Sequence, residues 1–171
     1  MRIDLSELLS VEERKQDFQT DIEMESFNSK RGRFKFAYKE PVNIHIENAG
    51  KRKIKCNAKI KCALVIPCDR CLEDVTNEFD IDIDREIDLN NIQDDSDFTA
   101  YIEENELDVE KLVYNEILIN LPMKVLCSEN CKGICNRCGA NLNSQTCNCE
   151  TKELDPRMSK ILDVFNNFKE V

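Results

Sequence analysis

Hydrophobic and polar positions alternate most regularly between residues 51 and 66. There Ile54, Cys56, Ala58, Ile60, Cys62, Leu64 and Ile66 are interleaved with Lys53, Lys55, Asn57, Lys59 and Lys61. A period of two places the first set on one face of a β-strand and the polar set on the other. After Cys68-Asp69-Arg70-Cys71 the alternation resumes with the opposite charge: Val75, Phe79, Ile81 and Ile83 face inward, and Glu78, Asp80, Asp82, Asp84 and Glu86 face outward. A two-residue turn at Asp69-Arg70 predicts a hairpin over 51–87 that sets Lys61 opposite Glu78, Lys59 opposite Asp80, Lys55 opposite Asp84 and Lys53 opposite Glu86. The same register pairs Ile60 with Phe79, Ala58 with Ile81 and Leu64 with Val75. Each charge pair contributes only about 0.2–1 kcal/mol, but a slip of one residue turns the whole apolar face outward.

Weaker patterns flank the hairpin. Phe34, Phe36 and Tyr38, and then Val42, Ile44 and Ile46, predict two further strands with one buried face each. Residues 88–104 are acidic and aperiodic, which predicts a mobile loop. Asp108 is placed to cap a helix running to about Leu121, with Val109, Leu112, Val113, Ile117 and Leu121 on one stripe and Pro122 as its stop. Asp155-Pro156 announces a last helix carrying Met158, Ile161, Leu162, Phe165 and Phe168 at helical spacing. The expected fold is α+β: an antiparallel sheet with a packed helix in 1–122, followed by a cysteine-rich, zinc-ribbon-like segment with a final helix in 123–171.

Composition narrows the class. The 171 residues are 41% hydrophobic and 34% charged, and no apolar run approaches the ~18 residues of a membrane helix. Met1 to Leu8 lacks the continuous apolar stretch of a secretory signal, so a cytoplasmic protein is expected. The net charge of −10 argues at first against nucleic acid, but its distribution is uneven. Lys30 to Lys61 holds eleven basic residues against Glu40 and Glu47, a net of +9, and Leu72 to Glu110 holds sixteen acids against Arg85, a net of −15. The single His45 falls on the polar side of a strand with no partner in the sequence. The four glycines are too dispersed for a phosphate loop, and no nucleophile–base pair is apparent. These features point away from an enzyme with a small-molecule substrate.

Ten cysteines in a reducing compartment suggest metal thiolates rather than disulfides. Cys135-Asn136-Arg137-Cys138-Gly139 has the shape of a metal knuckle, and Cys147 and Cys149 supply a second close pair after an eight-residue spacer. Four such thiols suit a structural zinc. Cys127 and Cys131 are then two ligands short, and Cys68 and Cys71 at the hairpin tip are their natural partners. Two zinc ions would follow, although spacing alone leaves the partition open, and Cys68 and Cys71 can also be plain reduced thiols. Cys131-x3-Cys135-x2-Cys138 also fits the cluster motif of radical enzymes that use S-adenosylmethionine, but those need a much larger barrel. Cys68-x2-Cys71 fits a redox pair, but such pairs open helices. Cys56 and Cys62 read as core.

The Cys68-Asp69-Arg70-Cys71 motif, the helix ending at Leu121-Pro122, the run Cys127-x3-Cys131-Lys132-Gly133-x-Cys135-x2-Cys138-Gly139 with Asn141 and Asn143, Cys147-x-Cys149 and Asp155-Pro156-Arg157 together resemble the YceD family of large ribosomal RNA subunit accumulation proteins. The likeness runs over most of the chain from about residue 30. It implies a non-catalytic role in rRNA accumulation or ribosome biogenesis; members that lack the Cys135–Cys149 ribbon imply that the ribbon is not essential to the shared role. For RNA contact the candidates are Lys30, Arg31, Arg33, Lys35 and Lys39, interleaved with Phe34, Phe36 and Tyr38, together with Lys132 and Arg137. Basic groups beside exposed aromatics hold single strands by charge and stacking. The simpler alternative makes Phe34 and Phe36 core. A partner of a different class is a basic ribosomal protein, met by the acids of Asp80 to Asp108 in the manner of a chaperone or adaptor.

Overall fold

A computed structural model describes residues 1–90, 101–103 and 105–149. In chain order the elements are β1 (Arg2–Asp4), α1 (Ser6–Leu9), β2 (Lys15–Thr20), β3 (Ser26–Ser29), β4 (Gly32–Lys39), β5 (Val42–Gly50), β6 (Lys53–Pro67), β7 (Asp74–Asp88), β8 (Ile102–Glu103), β9 (Glu106–Asp108) and α2 (Val109–Asn120). The segment 155–168, where a last helix is expected, lies outside the described residues, as do residues 91–100.

The long β6 organises the larger sheet. All of one edge bonds to β7 in antiparallel register, from Lys53↔Asp88 to Pro67↔Asp74. The other edge is divided between β5, over Lys53 to Lys59, and β4, over Cys62 to Val65. β2 extends the β5 side and β3 the β4 side. β1, β9 and β8 form a small second sheet. The alternating apolar set is the core: Ile54, Ile60, Leu64 and Ile66 from β6 are buried with Ile44 and Ile46 from β5 and Phe79, Ile81 and Ile83 from β7. Burial pushes the thiols of Cys56 and Cys62, on the same face, up to about 11, as befits inert core cysteines.

The hairpin forms, but not in the expected register. The pairs are Lys61↔Asp80, Lys59↔Asp82, Lys55↔Glu86, Lys53↔Asp88, Ile60↔Ile81, Ala58↔Ile83, Cys62↔Phe79 and Ile66↔Val75. The cause is the connection: instead of a two-residue turn, six residues from Cys68 to Glu73 join the strands. Cys68 N donates to Glu73 O at 2.8 Å and Leu72 N to Cys68 O at 3.0 Å inside it. A shift by two positions keeps every side chain on its face and every lysine near a carboxylate. Thus Lys59 reaches both Asp80 (3.1 Å) and Asp82 (3.0 Å), and Lys53 reaches both Glu86 (3.9 Å) and Asp88 (3.7 Å). Exposed pairs of this kind contribute little individually.

Residues 1–29, to which alternation assigned no element, hold β1, α1, β2 and β3. Leu5, Leu8 and Phe27 are fully buried, and the buried Asn48 amide ties α1 to β5 through the carbonyls of Leu8 (3.0 Å) and Val11 (2.8 Å). Within the 88–104 stretch expected as a loop, Asp88 completes β7, Tyr101 and Ile102 are buried, and Ile102–Glu103 form β8. α2 begins as expected: the Asp108 carboxylate accepts from Lys111 N at 3.1 Å. Val109, Leu112, Val113 and Ile117 are buried. Tyr114 stacks on Phe27 at 5.0 Å between centroids and donates to Asn28 O at 2.9 Å.

Ile60 sits at 0% exposure in the strand bonded on both sides. Ile60→Ala is expected to cost about 2–5 kcal/mol, measured as a lower midpoint at unchanged slope in urea unfolding.

Candidate metal centre

The hairpin tip is a docking platform. Asp69 N donates to Val125 O (2.9 Å) while the Asp69 carboxylate accepts from Val125 N (2.7 Å). Ile134 N donates to Arg70 O (3.1 Å), and the Arg70 guanidinium donates to Cys131 O (2.8 Å). Asn141 donates to Glu73 at 2.8 Å. These bonds hold the chain after α2 against the turn. Gly133 is needed where they meet: it has φ +77°, and a Cβ there would lie 3.0 Å from Arg70 O.

The docking brings Cys127 and Cys131 to Cys68 and Cys71. Cys71 Sγ lies 3.4 Å from Cys127 Sγ, and Cys68 Sγ 3.9 Å from Cys131 Sγ. The four sulfurs lie within 4.8 Å of one another, and so do those of a second group, Cys135, Cys138, Cys147 and Cys149. Four thiolates on a tetrahedral ion with ~2.3 Å bonds stand about 3.8 Å apart. Each group can therefore hold a metal ion. Cys68, Cys71 and Cys131 are buried, as is Cys135, while Cys127 and Cys138 reach solvent.

Electrostatics suit a cation. Burial acts to raise Cys68, but backbone N–H groups of Arg70, Cys71 and Cys127 hold its thiol down at about 6. Cys71 takes a lowering contact from the backbone at Glu73, yet burial and the facing sulfurs of Cys127, Cys68 and Cys131 push it up to about 12. The second group repeats this. The backbone at Cys138 and Arg137 holds Cys135 at about 6, and the Cys138 sulfur and burial push Cys149 up to about 12. In each group a lowered thiol, Cys68 and Cys131 in the first and Cys135 in the second, stands among sulfurs that push their neighbours up. A bound divalent ion removes that repulsion.

The two knuckles share a backbone shape. Gly139, after Cys138, has φ +73°, and Leu72, after Cys71, has φ +64° with 64% of its surface exposed. A leucine is strained in that region.

The candidate RNA-contact residues are spread more unevenly than the sequence suggests. Phe34 is buried, Phe36 is partly buried, and Tyr38 is the exposed member of the three. Arg31 does face an acid: it pairs with Asp69 at 3.4 Å and donates to Pro122 O. Arg33 donates to Ser26 Oγ (2.8 Å), and Lys39 donates to the carbonyls of Ile22 (2.8 Å) and Met24 (2.9 Å) while its ammonium stands 5.5 Å over the Phe36 ring. Lys30, Lys35, Lys132 and Arg137 are exposed. His45 has a partner that sequence could not show, because β2 brings Asp17 beside it at 2.6 Å. Asp17 and His45 line an open concavity of about 670 Å³ with Asn57, Lys59, Asp82 and Asp84. Among the described residues, no helix is long and apolar enough to cross a membrane.

The sequence matches the family model described as large ribosomal RNA subunit accumulation protein YceD over residues 56–165, more than half of the chain. It is 36% identical over 53 residues to the large ribosomal RNA subunit accumulation protein YCED homolog 1, chloroplastic, of Arabidopsis thaliana, covering 31% of this chain and 16% of that one. The Zea mays homolog of the same name is 35% identical over 52 residues, 30% of this chain and 18% of that one. The uncharacterized protein YlbN of Bacillus subtilis is 26% identical over 112 residues, 64% of this chain and 65% of the other. The chain thus spans less than a fifth of the length of the plant relatives. No solved structure matches it significantly.

Because Leu72 stands where the other knuckle has glycine, Leu72→Gly is expected to hold or raise stability, by up to about 1 kcal/mol, in thermal unfolding of the metal-loaded protein. Gly133→Ala, by contrast, should loosen the platform, read as faster amide exchange at Ile134 and Val125.

Proposed function

The chain belongs to the family of large ribosomal RNA subunit accumulation proteins, YceD, and from that premise we propose that it is a non-catalytic, zinc-stapled factor that contacts large-subunit rRNA or a pre-ribosomal particle in the cytoplasm. The observation that carries the reading is the first thiol group. It joins a hairpin tip to a segment more than fifty residues later in the chain, so a zinc ion there would fix a rigid, zinc-ribbon-like surface beside Arg31, Lys132 and Arg137. Cys68, Cys71, Cys127 and Cys131 would hold one ion and Cys135, Cys138, Cys147 and Cys149 the other. Thiolate-only donor sets favour zinc over magnesium or calcium, which take oxygen ligands. Each ion would be structural, since four protein ligands leave no open position for catalysis.

On this reading Lys30, Lys35 and Lys132 meet phosphates directly, Tyr38 offers a ring for stacking, and Arg31, Arg33, Lys39 and Arg137 divide their charge between the fold and the ligand. A second reading is favoured by the acidic β7. Its outward row, Glu78, Asp80, Asp82, Asp84 and Glu86, exceeds the lysines that reach it, and so suits an adaptor or chaperone for a basic ribosomal protein.

Metal analysis of purified protein should return about two zinc equivalents per chain, with one lost in Cys131→Ser and the other in Cys135→Ser. Metal-free protein that still folds its C-terminal segment would remove the staple from the mechanism. Acidification should release the ions, because the ligating sulfurs must be deprotonated: affinity is present at neutral pH and falls as pH drops and thiols regain protons. A zinc-indicator titration with pH reads this.

Binding of an rRNA fragment should weaken steeply with salt, and Lys30→Ala together with Lys35→Ala should lower the slope by about one to two counter-ions. Absence of RNA binding at low salt would sink the direct-contact reading and leave the adaptor.

A further inference from the structure

We propose that the outer edge of β7, around Glu78 to Ile81 beside the end of α2, accepts an extended lysine- or arginine-rich segment of a partner protein as an added strand. Among the described residues, β7 pairs with β6 alone, and no strand lies along its other edge. Which residues face that edge follows from three bonds. Cys68 N donates to Glu73 O and Leu89 N to Arg52 O, so odd-numbered residues on the β7 side turn their backbone toward β6. Glu40 N donates to Lys61 O at 3.0 Å, so Lys61 points away from β7 and its partner Asp80 points away from β6. The register is unbroken along β7. The N–H and C=O groups of Glu78, Asp80, Asp82, Asp84 and Glu86 therefore face the open side.

The edge has a groove beside it. Asn77 to Ile81 form one wall of a space of about 330 Å³, with Asn120 and Pro122 at the end of α2. An edge strand flanked by a helix is a general setting for strand addition, in which main-chain bonds supply affinity and side-chain sites supply choice. The last turn of α2 has no basic residue, so its carbonyl end adds partial negative charge to that of Glu78 and Asp80. Leu118, Ile119 and Met123, at 41%, 66% and 98% exposure, offer apolar contact at that end.

Charge selects the occupant. A second copy of β7 would set one row of five carboxylates against another, which disfavours edge-to-edge pairing. The chain's own remaining segments lack the charge: residues 91–100 carry three acids and no base, and residues 150–171 carry five acids and four bases. A basic extended chain satisfies the backbone and the carboxylates together. The adaptor reading above is thereby given a binding mode, and the inference rests on that reading only for the partner's identity.

The test uses the full, metal-loaded chain and a short synthetic peptide alternating Lys and Thr, with a version N-methylated at every second residue that keeps the charge. The plain peptide should slow amide exchange at Asp80 and Asp82, as read by NMR, and bind about tenfold tighter than the methylated one, the equivalent of one or two main-chain bonds. Glu78→Pro, which removes an outward N–H and spares the bonds to β6, should lose a similar factor while Tm holds. Equal binding of both peptides would overturn strand addition in favour of simple charge attraction. Outward amides already protected in the free chain would overturn the open edge, with concentration dependence of that protection marking a second copy. If the peptide binds as expected and isolated basic ribosomal proteins do not, the strand site stands and the adaptor reading fails.

Discussion

The six-residue closure of the β6–β7 hairpin through Cys68 to Glu73 is the constraint on which the molecule depends. It sets the register of the two longest strands and so decides which lysine of β6 stands opposite which carboxylate of β7. It presents Cys68 and Cys71 from the tip, and its backbone at Asp69 and Arg70 supplies the bonds that dock Val125 and Ile134. A tighter turn would keep the apolar face buried and the lysines near carboxylates, yet it would leave no loop to receive the downstream segment. The tolerance of the sheet for either register is what makes the knuckle, rather than the strands, decisive.

That tolerance also explains what the sequence could reveal. Alternation with period two reports which face a residue takes, so pattern alone places Ile54 to Ile66 and Phe79 to Ile83 in the core. It is blind to a shift by two, because Lys59 meets an aspartate in either case. Local capping chemistry was equally legible, and Asp108 and Pro122 bound α2 as their residue types require. The elements of 1–29 were not, because β1, α1 and β3 span three or four residues each, too short for a period to emerge. Their burial comes from Leu5, Leu8 and Phe27 meeting partners distant in sequence.

The site divides in the same way. Spacing within the chain makes Cys135, Cys138, Cys147 and Cys149 a self-contained proposal. The other four thiols depend on the hairpin tip and the post-helix segment meeting, which no local pattern encodes. Charge was the least legible. A basic run from Lys30 to Lys39 looks free in sequence, but a lysine four carbons long can turn back to carbonyls, as Lys39 does at Ile22 and Met24. An arginine can bridge elements, as Arg31 does between Asp69 and Pro122. Side chains that carry the right charge are recruited first by the nearest unsatisfied acceptor.

Charge neutralisation then limits where a polyanion can land. A tetrathiolate site with a divalent ion carries about two negative charges. Two such sites would deepen the acidity of a chain that already stands at −10. Lys53 and Lys59 of β6 are each shared between two carboxylates of β7, which reduces the positive field of that strand. On the proposed RNA reading, phosphates would be confined to the neighbourhood of exposed cations such as Lys30, Lys35 and Lys132, within a Debye length of ~8 Å of each charge. The carboxylates of β7 would repel phosphates and favour the basic segment proposed for that edge. On the proposed readings, the uneven distribution that the net charge conceals would let exposed cations meet nucleic acid while the acidic β7 edge meets a cationic chain.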